Sequence, residues 1–299
     1  MNSKKGIILI FISTIMFGSY GVWSRLMGDS FGAFYQGWTR ALIIVILLLP
    51  ILLWKKQIIP IARKDLGWFA IFLFFTSLTQ APLYYAFNHM DIGSATLLFF
   101  VSMLLTMSFV GIMFLGEKNT KIKIISFFLA AIGLYTIFSF SLVVFSLLAA
   151  SLAIVNGIAS GGEVSFSKKL SGNYSALYLT WTSWVVIVLT NAPISFLLGE
   201  VQHLPSLDIV WGYQIGYTIA SILGFWLIIE GLKYTEASIG GLIGLLEIVF
   251  SVLFGIILFK EELTLRVLTG ALLIIAAASL PHVWNLSNSL RNNNNRKLL

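Results

Sequence analysis

Two stretches of the chain, WTRALIIVILLLP at residues 38–50 and WTSWVVIVLTNAP at residues 181–193, share tryptophan, threonine, isoleucine, valine and proline at the same positions. The stretches begin 143 residues apart, and a spacing of 143 or 144 residues recurs along most of the chain. One sequence unit therefore occurs twice within the 299 residues. Further matches between the two copies are Gly18 with Gly161 and Glu117 with Glu261.

The composition places this unit in a membrane. Apolar and aromatic residues make up 58% of the chain and charged residues only 10%, whereas soluble domains are about a quarter charged. The net charge of +7 is spread over short clusters between apolar runs, which argues against a nucleic-acid partner because no basic face follows a phosphate backbone. The chain has no cysteine, which excludes disulfides and thiolate chemistry.

Ten apolar runs are long enough to cross a bilayer, which takes about 20 mostly apolar residues. They predict an all-α membrane protein with ten transmembrane helices joined by short connections. The predicted helices cover residues 6–26, 31–54, 66–88, 91–115, 122–140, 143–166, 174–198, 209–232, 236–259 and 264–284.

The lysine and arginine residues between the spans predict the orientation of the chain, because cytoplasmic loops collect these residues. With the N-terminus in the cytoplasm, fifteen of them lie on the inner side and three, Arg25, Lys260 and Arg266, on the outer side. We therefore expect a multi-pass protein of the cytoplasmic (inner) membrane with both termini in the cytoplasm. Residues 285–299 form a polar cytoplasmic tail that we expect to be disordered.

Five spans per repeat is an odd number, so the second repeat enters the membrane upside down relative to the first. We assign residues 1–140 to the first five-helix repeat and residues 141–284 to the second, inverted repeat. Inverted repeats are common in secondary transporters, where the solute site lies near the midplane between the halves. This architecture favours a transporter, because a transporter must open to either side of the membrane.

Two helix ends resemble those of a known family. They read LGEKNT at residues 115–120 and FKEELT at residues 259–264. Together with Phe17-Gly18-Ser19 in the first span and Arg40 in the second, they resemble the EamA-type repeat of the drug/metabolite transporter superfamily over the whole chain. The resemblance implies metabolite or drug export more often than uptake, with amino acids, amines and related metabolites as the usual solutes.

Charged residues inside the spans are the strongest candidates for a site, because a charge at mid-bilayer costs about 2.5–3.5 kcal/mol on insertion scales. Glu247 lies about 16 Å into its span at 1.5 Å per residue. It is expected to carry a proton or to accept a cationic group of the solute; the alternative is a neutral acid that joins helices. Arg40 is expected to bind a solute carboxylate or to pair with Glu247; the alternative is a tie to backbone carbonyls.

The repeat helps to rank these candidates, because residues that match between the copies belong to the scaffold. Arg40 corresponds to Ser183 in the other copy, and Glu247 corresponds to Met103. The family that the chain resembles often has a proline near the position of Glu247. Trp38 and Trp181 match each other, which favours a scaffold role.

Further candidates come from the other polar and aromatic positions inside the spans. Glu163 replaces Tyr20 of the first repeat and is a further candidate, although its place near Lys168 favours a role at the membrane interface. Pro82 is expected to kink the third span and to free a carbonyl near Leu78. The uncharged candidates to line a cavity are Trp38, Gln80, Tyr84, Asn156, Trp181, Gln214 and Tyr217. For any one of the aromatic residues among them, helix packing is the favoured role.

The sequence contains no nucleotide-binding, zinc-protease or serine-hydrolase motif. We expect no enzymatic activity, no cofactor and no metal ion. The favoured function is a secondary transporter of a small polar organic metabolite, such as an amino acid, an amine or a drug-like molecule, that exports by alternating access. Its expected partners are the solute, the lipid bilayer and, if Glu247 carries one, a proton. Two alternatives stay open: an uptake or exchange carrier for a carboxylate or nucleotide-linked solute, and a membrane scaffold that transports nothing.

Overall fold

The computed structural model describes residues 3–90, 92–138 and 146–297, and these residues form helices, turns and loops without any strand. The all-α fold class is therefore confirmed. Two short 3-10 turns, Gly28–Ser30 and Arg63–Asp65, precede the second and third spans. The helices are α1 (Ser3–Gly18), α2 (Tyr20–Met27), α3 (Ala33–Trp54), α4 (Leu66–Ser77), α5 (Ala81–His89), α6 (Ile92–Leu115), α7 (Lys121–Phe138), α8 (Leu147–Leu170), α9 (Ala176–Leu197), α10 (Ile209–Leu232), α11 (Ala237–Gly244), α12 (Leu246–Phe259) and α13 (Leu265–Lys297).

Ten helical segments of the described chain are long and apolar enough to cross a membrane, as predicted. The largest shift concerns the sixth span, predicted at 143–166 and found at Leu147–Leu170. The helix continues through Lys168 and Lys169 because both amines have partners in the protein: that of Lys168 donates to Glu117, and that of Lys169 donates to the Phe114 carbonyl. The predicted boundary between the repeats, at residues 140 and 141, lies outside the described residues.

The last helix extends well beyond its membrane segment. That segment is Leu265–Trp284, whereas α13 continues to Lys297. The expectation of a disordered tail from residue 285 is therefore wrong for the backbone as far as Lys297. The sequence from 285 to 297 contains neither proline nor glycine, and helix propagation costs far less than nucleation once a helix has formed.

Three of the ten spans are interrupted inside the membrane. The first breaks at Ser19, the third over residues 78–80 and the ninth at Leu245. Only the third break has a proline beside it, Pro82 in the first turn of α5. Pro82 has no N–H to donate to the carbonyl of Leu78, four residues earlier, which explains why the helix stops there.

Helices in equivalent positions of the two repeats pack against each other: α3 against α9, and α7 against α13. The backbones of α7 and α13 touch at two glycines. A Cβ on Gly133 would lie 2.9 Å from the carbonyl oxygen of Gly270, and a Cβ on Gly270 would lie 2.8 Å from that of Gly133. Such reciprocal contacts fit two inverted five-helix repeats related by a two-fold axis.

Two matched contacts repeat the same geometry elsewhere in the bundle. A Cβ on Gly161 would lie 2.6 Å from the carbonyl oxygen of Met103, and a Cβ on Gly18 would lie 2.8 Å from that of Glu247. The glycines are repeat partners, and so are Met103 and Glu247. The first and ninth spans therefore cross as the sixth and fourth spans do, and glycine lets both pairs of backbones meet.

Candidate functional site

A cavity of about 370 Å³ lies between the helices, and every span except the fifth and the tenth contributes to its wall. All three helix breaks reach this wall: Tyr20 follows the first break, Thr79 and Gln80 lie in the second, and Gly244 precedes the third. Irregular backbone at membrane depth is tolerated where it is buried in protein or lines a cavity. The breaks and the cavity are therefore parts of one feature.

Most of the candidates from the sequence meet at this cavity. Seven of the ten line its wall, namely Arg40, Gln80, Tyr84, Asn156, Glu163, Tyr217 and Glu247.

The other three candidates lie outside the wall and join helices. Gln214 is fully buried and donates hydrogen bonds from α10 to a backbone carbonyl and a hydroxyl of α3. Trp181 of α9 donates from its indole nitrogen to a backbone carbonyl of α3, at 3.1 Å. Trp38 of α3 stacks on Phe196 of α9, with 6.2 Å between the ring centroids. These side chains tie the repeats together, in keeping with the match between Trp38 and Trp181.

Arg40 projects from α3 into a cluster of aromatic rings. The residue is 2% exposed, and its guanidinium carbon lies 3.8 Å from the ring centroid of Tyr217, 5.3 Å from that of Trp184 and 5.5 Å from that of Tyr20. Its Nε and Nη1 atoms have no hydrogen-bond partner. Aromatic faces stabilise the cation by about 0.5–2 kcal/mol each, but they do not satisfy its N–H donors. An anionic ligand would do so.

Glu247 lines the same cavity from α12, two residues after the break at Leu245. Within the part of the chain that the structure describes, no hydrogen bond or ion pair engages its carboxyl group. The expected pair with Arg40 is absent, because aromatic rings occupy the space around the guanidinium. The cavity therefore presents a guanidinium with two unsatisfied nitrogen atoms and a carboxyl group without a partner among the described residues.

Glu163 lies in the wall rather than at the membrane interface. It is 6% exposed, and its Oε1 atom accepts hydrogen bonds from the hydroxyls of Thr76, at 3.0 Å, and Ser183. The interfacial role is therefore not observed, because α8 continues about one turn further than predicted, to Leu170. Among the described residues, no group of three His, Asp or Glu is placed to hold a metal ion.

The break in the third span is held from the second repeat. Asn156 of α8 donates from Nδ2 to the Leu78 carbonyl at 3.0 Å, which is the carbonyl that Pro82 leaves free, as predicted. The Oδ1 atom of Asn156 and the Oε1 atom of Gln80 are buried without a hydrogen-bond partner. Both residues line the cavity, so they offer two acceptors to the N–H groups of a ligand.

The candidates from the sequence do not include several residues of the cavity wall. Comparison of the two repeats identifies three of them, Tyr20, Met103 and Ser183. Three pairs in which the repeats differ by a charged residue lie on the cavity wall, with both members of each pair present. They are Tyr20 with Glu163, Arg40 with Ser183, and Met103 with Glu247.

Two ion pairs link the repeats, one at each end of the bundle. In one pair the basic residue comes from the first repeat, and in the other it comes from the second. Arg25 pairs with Glu261, and its repeat partner Lys168 pairs with Glu117. We name the two sides of the molecule the Arg25 end and the Lys168 end. At the Arg25 end the two side chains are 54% and 51% exposed, whereas at the Lys168 end they are 18% and 3% exposed.

The carboxylate of Glu117 is fully engaged at the Lys168 end. It accepts hydrogen bonds from the Lys168 amine at 2.9 Å, from the Ser238 hydroxyl at 2.6 Å, and from the backbone N–H groups of Ser238, at 3.1 Å, and Ala237. Burial alone would raise the pKa of Glu117, but the Ser238 hydrogen bond and the Lys168 charge outweigh it and lower that pKa below its ordinary value.

The two ends differ in how they are closed. At the Lys168 end a second ion pair joins the buried Lys123 of α7 to Glu236, which immediately precedes α11. At the Arg25 end a polar recess of about 330 Å³ lies beside Gln36, and Tyr84 lines both this recess and the cavity. Tyr84 therefore joins the wall of the cavity to that of the recess at the Arg25 end.

Ten spanning helices in two inverted repeats, around a cavity whose wall includes Arg40, Glu163 and Glu247, define the architecture of a secondary transporter. The model of the EamA-like transporter family matches residues 4–139 and 147–280, and the chain belongs to this family. The protein is therefore a multi-pass membrane protein of the drug/metabolite transporter type.

One solved structure, described only as the crystal structure of a protein, shares the fold with a TM-score of 0.76 and 12% sequence identity. The similarity covers 92% of this chain and 97% of the other. No curated protein gives a significant match.

Proposed function

We propose that the protein is a secondary transporter that carries a small polar organic solute, an amino acid or a related amine, across the cytoplasmic membrane. The observation that carries the proposal lies on the wall of one cavity: the Arg40 guanidinium has two nitrogen atoms without a hydrogen-bond partner, and the Glu247 carboxyl group has no ion pair among the described residues. A zwitterion supplies a carboxylate to the first and an ammonium group to the second. Buried charges are tolerated when they are paired, and about 370 Å³ falls within the usual range for small-ligand sites.

The proposed cycle is alternating access. In this conformation the Lys168 end is closed and the cavity adjoins the recess at the Arg25 end. With the orientation given by the loop charges, the Lys168 end faces the cytoplasm and this state faces outward. Export then means that the solute enters when the Lys168 end opens and leaves at the Arg25 end.

Two alternative functions would use fewer of these cavity side chains. A carboxylate or a nucleotide-linked solute would use Arg40 and leave Glu247 without a partner. A scaffold that transports nothing would have no use for a cavity with free donors and acceptors such as Arg40, Gln80 and Asn156. The pair of charges therefore supports the zwitterion over both.

The test is counterflow into proteoliposomes with three sets of probes: L-amino acids, their amides and the matching 2-hydroxy acids. We expect the wild-type protein to exchange at least one amino acid and to reject its amide and its hydroxy acid. A charged hydrogen-bond partner contributes about 1.5–3 kcal/mol, so each missing group weakens binding roughly 10- to 100-fold.

The variants assign each charge to one group of the solute. Arg40→Gln is expected to lose the preference for the amino acid over the amide, and Glu247→Gln the preference over the hydroxy acid. Glu230→Gln is the matched control, because Glu230 pairs with Lys233 at 2.6 Å and does not line the cavity. Exchange of hydroxy acids or nucleotide-linked solutes alone would support the first alternative, and no exchange of any probe would support the scaffold.

A further inference from the structure

Glu163 is held by one hydroxyl from each repeat. Its Oε1 atom contacts the hydroxyl of Thr76 on α4, in the first repeat, and that of Ser183 on α9, in the second. Glu163 itself belongs to α8 of the second repeat and lines the cavity. Any motion of one repeat against the other therefore changes the surroundings of this carboxyl group.

The hydroxyl of Thr76 has two acceptors for its single proton. Its Oγ1 atom lies 2.9 Å from the Phe72 carbonyl oxygen and 3.0 Å from Oε1 of Glu163. If Thr76 donates to Glu163, the carboxylate is ionised and receives two hydroxyl donors, one of them from Ser183. If Thr76 donates to Phe72, it accepts a hydrogen bond from a protonated Glu163. Rotation of one hydroxyl thus fits the site to either protonation state.

No basic group fixes Glu163 in the ionised state. Among the described residues it takes part in no ion pair. The lining residues from α6, α9 and α11 carry no ionisable group, and α4 contains none. The ionisable groups that face it across the cavity are Arg40 of α3, Glu247 of α12, and the phenols of Tyr20 on α2, Tyr84 on α5 and Tyr217 on α10.

Glu117 shows the contrasting arrangement. Its carboxylate receives four donors, including the Lys168 amine and two backbone N–H groups. An ammonium group and a backbone N–H cannot accept a hydrogen bond, so that site fits only the anion. Two carboxyl groups of one protein are thus built for different tasks: Glu117 stays charged, whereas Glu163 tolerates either state.

We propose that Glu163 binds one proton from water and releases it to water once per transport cycle, while Glu247 binds the solute. This assignment rests on the proposed function, since a proton is useful there only as the coupling ion. It departs from the expectation that Glu247 carries the proton. The repeat motion that opens the cavity would separate Thr76 from Glu163 and so change which protonation state the site favours.

The assignment is tested by infrared difference spectroscopy of the full-length protein in lipid, titrated with protons alone. The C=O stretch of a protonated carboxyl group is visible without any solute. We expect a carboxyl band in the wild-type protein that disappears as the pH rises and is missing from Glu163→Gln. Glu230→Gln is the matched control and is expected to keep the band.

A second variant, Thr76→Val, keeps the proposal testable if Glu163→Gln does not fold. Thr76→Val keeps the carboxyl group but removes its hydroxyl partner, so we expect the same band at a shifted frequency. The assignment is overturned if Glu163→Gln and the wild type have the same carboxyl bands, if the Glu163 band persists at every pH, or if Thr76→Val leaves its frequency unchanged. Because no solute is present, failure here is separate from failure of the counterflow assay.

Discussion

Lys168 of the second repeat lies 2.9 Å from Glu117 of the first, in an ion pair whose repeat counterpart joins Arg25 to Glu261. The two pairs have the same chemistry but different surroundings. Backbone and hydroxyl donors surround the buried carboxylate of Glu117, whereas the pair at the Arg25 end is about half exposed. The two equivalent sites therefore differ in burial, and the ion pair at the Lys168 end is the more enclosed.

The first prediction compares these two ends. We expect Glu117→Gln to destabilise the protein by about 3–5 kcal/mol, because it leaves a partly buried lysine without its partner. The matched variant Glu261→Gln removes an exposed pair, which is worth at most about 1 kcal/mol. Thermal unfolding followed by tryptophan fluorescence measures both. Equal losses in the two variants would contradict the assignment of a closed and an open end.

The second prediction concerns pH. The pKa of Glu117 is lowered in the folded protein, so its contribution to stability is fully present above the unfolded carboxyl pKa of about 4.3. That contribution is lost as the pH falls through the lowered folded pKa. The gap in melting temperature between wild type and Glu117→Gln should therefore be constant near neutral pH and shrink in acid. A gap that widens on acidification would show that the sign is wrong.

The third prediction concerns the helix crossing of α8 and α6. Gly161→Ala places a methyl group 2.6 Å from the Met103 carbonyl oxygen, so the helices must separate. We expect a loss of about 1–3 kcal/mol in the free energy of unfolding. Gly212→Ala is the control, because nothing lies within 4 Å of its Cβ position, and alanine there gains up to about 1 kcal/mol in helix propensity. Chemical denaturation of both variants decides whether the close approach is required.

The fourth prediction concerns the break in the third span. Asn156→Leu removes the donor to the Leu78 carbonyl, and an unsatisfied buried acceptor costs about 1–3 kcal/mol. Pro82→Ala restores an N–H four residues after Leu78. In the Pro82→Ala background the cost of Asn156→Leu should be smaller. A double-mutant cycle on unfolding free energies measures this coupling, and additive effects would mean that Asn156 does not serve the break.

The number of spans and the inverted repeat follow from the sequence, because span length and loop charge are properties of the chain itself. The breaks at Ser19 and Leu245 do not, since neither has a proline beside it. Both breaks adjoin residues of the cavity wall, which forms only after eight spans have come together. The helical segment beyond residue 284 was also not predicted, because it is helical as a continuation of the last membrane span.

The direction in which a side chain points is the least predictable part of the site. Trp38 and Gln214 lie inside spans as the cavity residues do, but helix rotation directs them to helix contacts. Comparison of the two repeats gives part of this information. Arg40 and Glu163, where the copies differ by a charge, line the cavity, whereas the matched Trp38 and Trp181 hold the scaffold.

The most direct test of the account asks whether the cavity opens to both sides in turn. The chain has no cysteine, and Ser160 lines the cavity, so Ser160→Cys provides a single labelling site. Reaction with a membrane-impermeant maleimide is measured in right-side-out and inside-out vesicles. We predict predominant labelling from the outer side, and a shift to the inner side at the expense of the outer when Glu117→Gln is added. Labelling from neither side, or labelling that Glu117→Gln leaves unchanged on both sides, would contradict alternating access through this cavity.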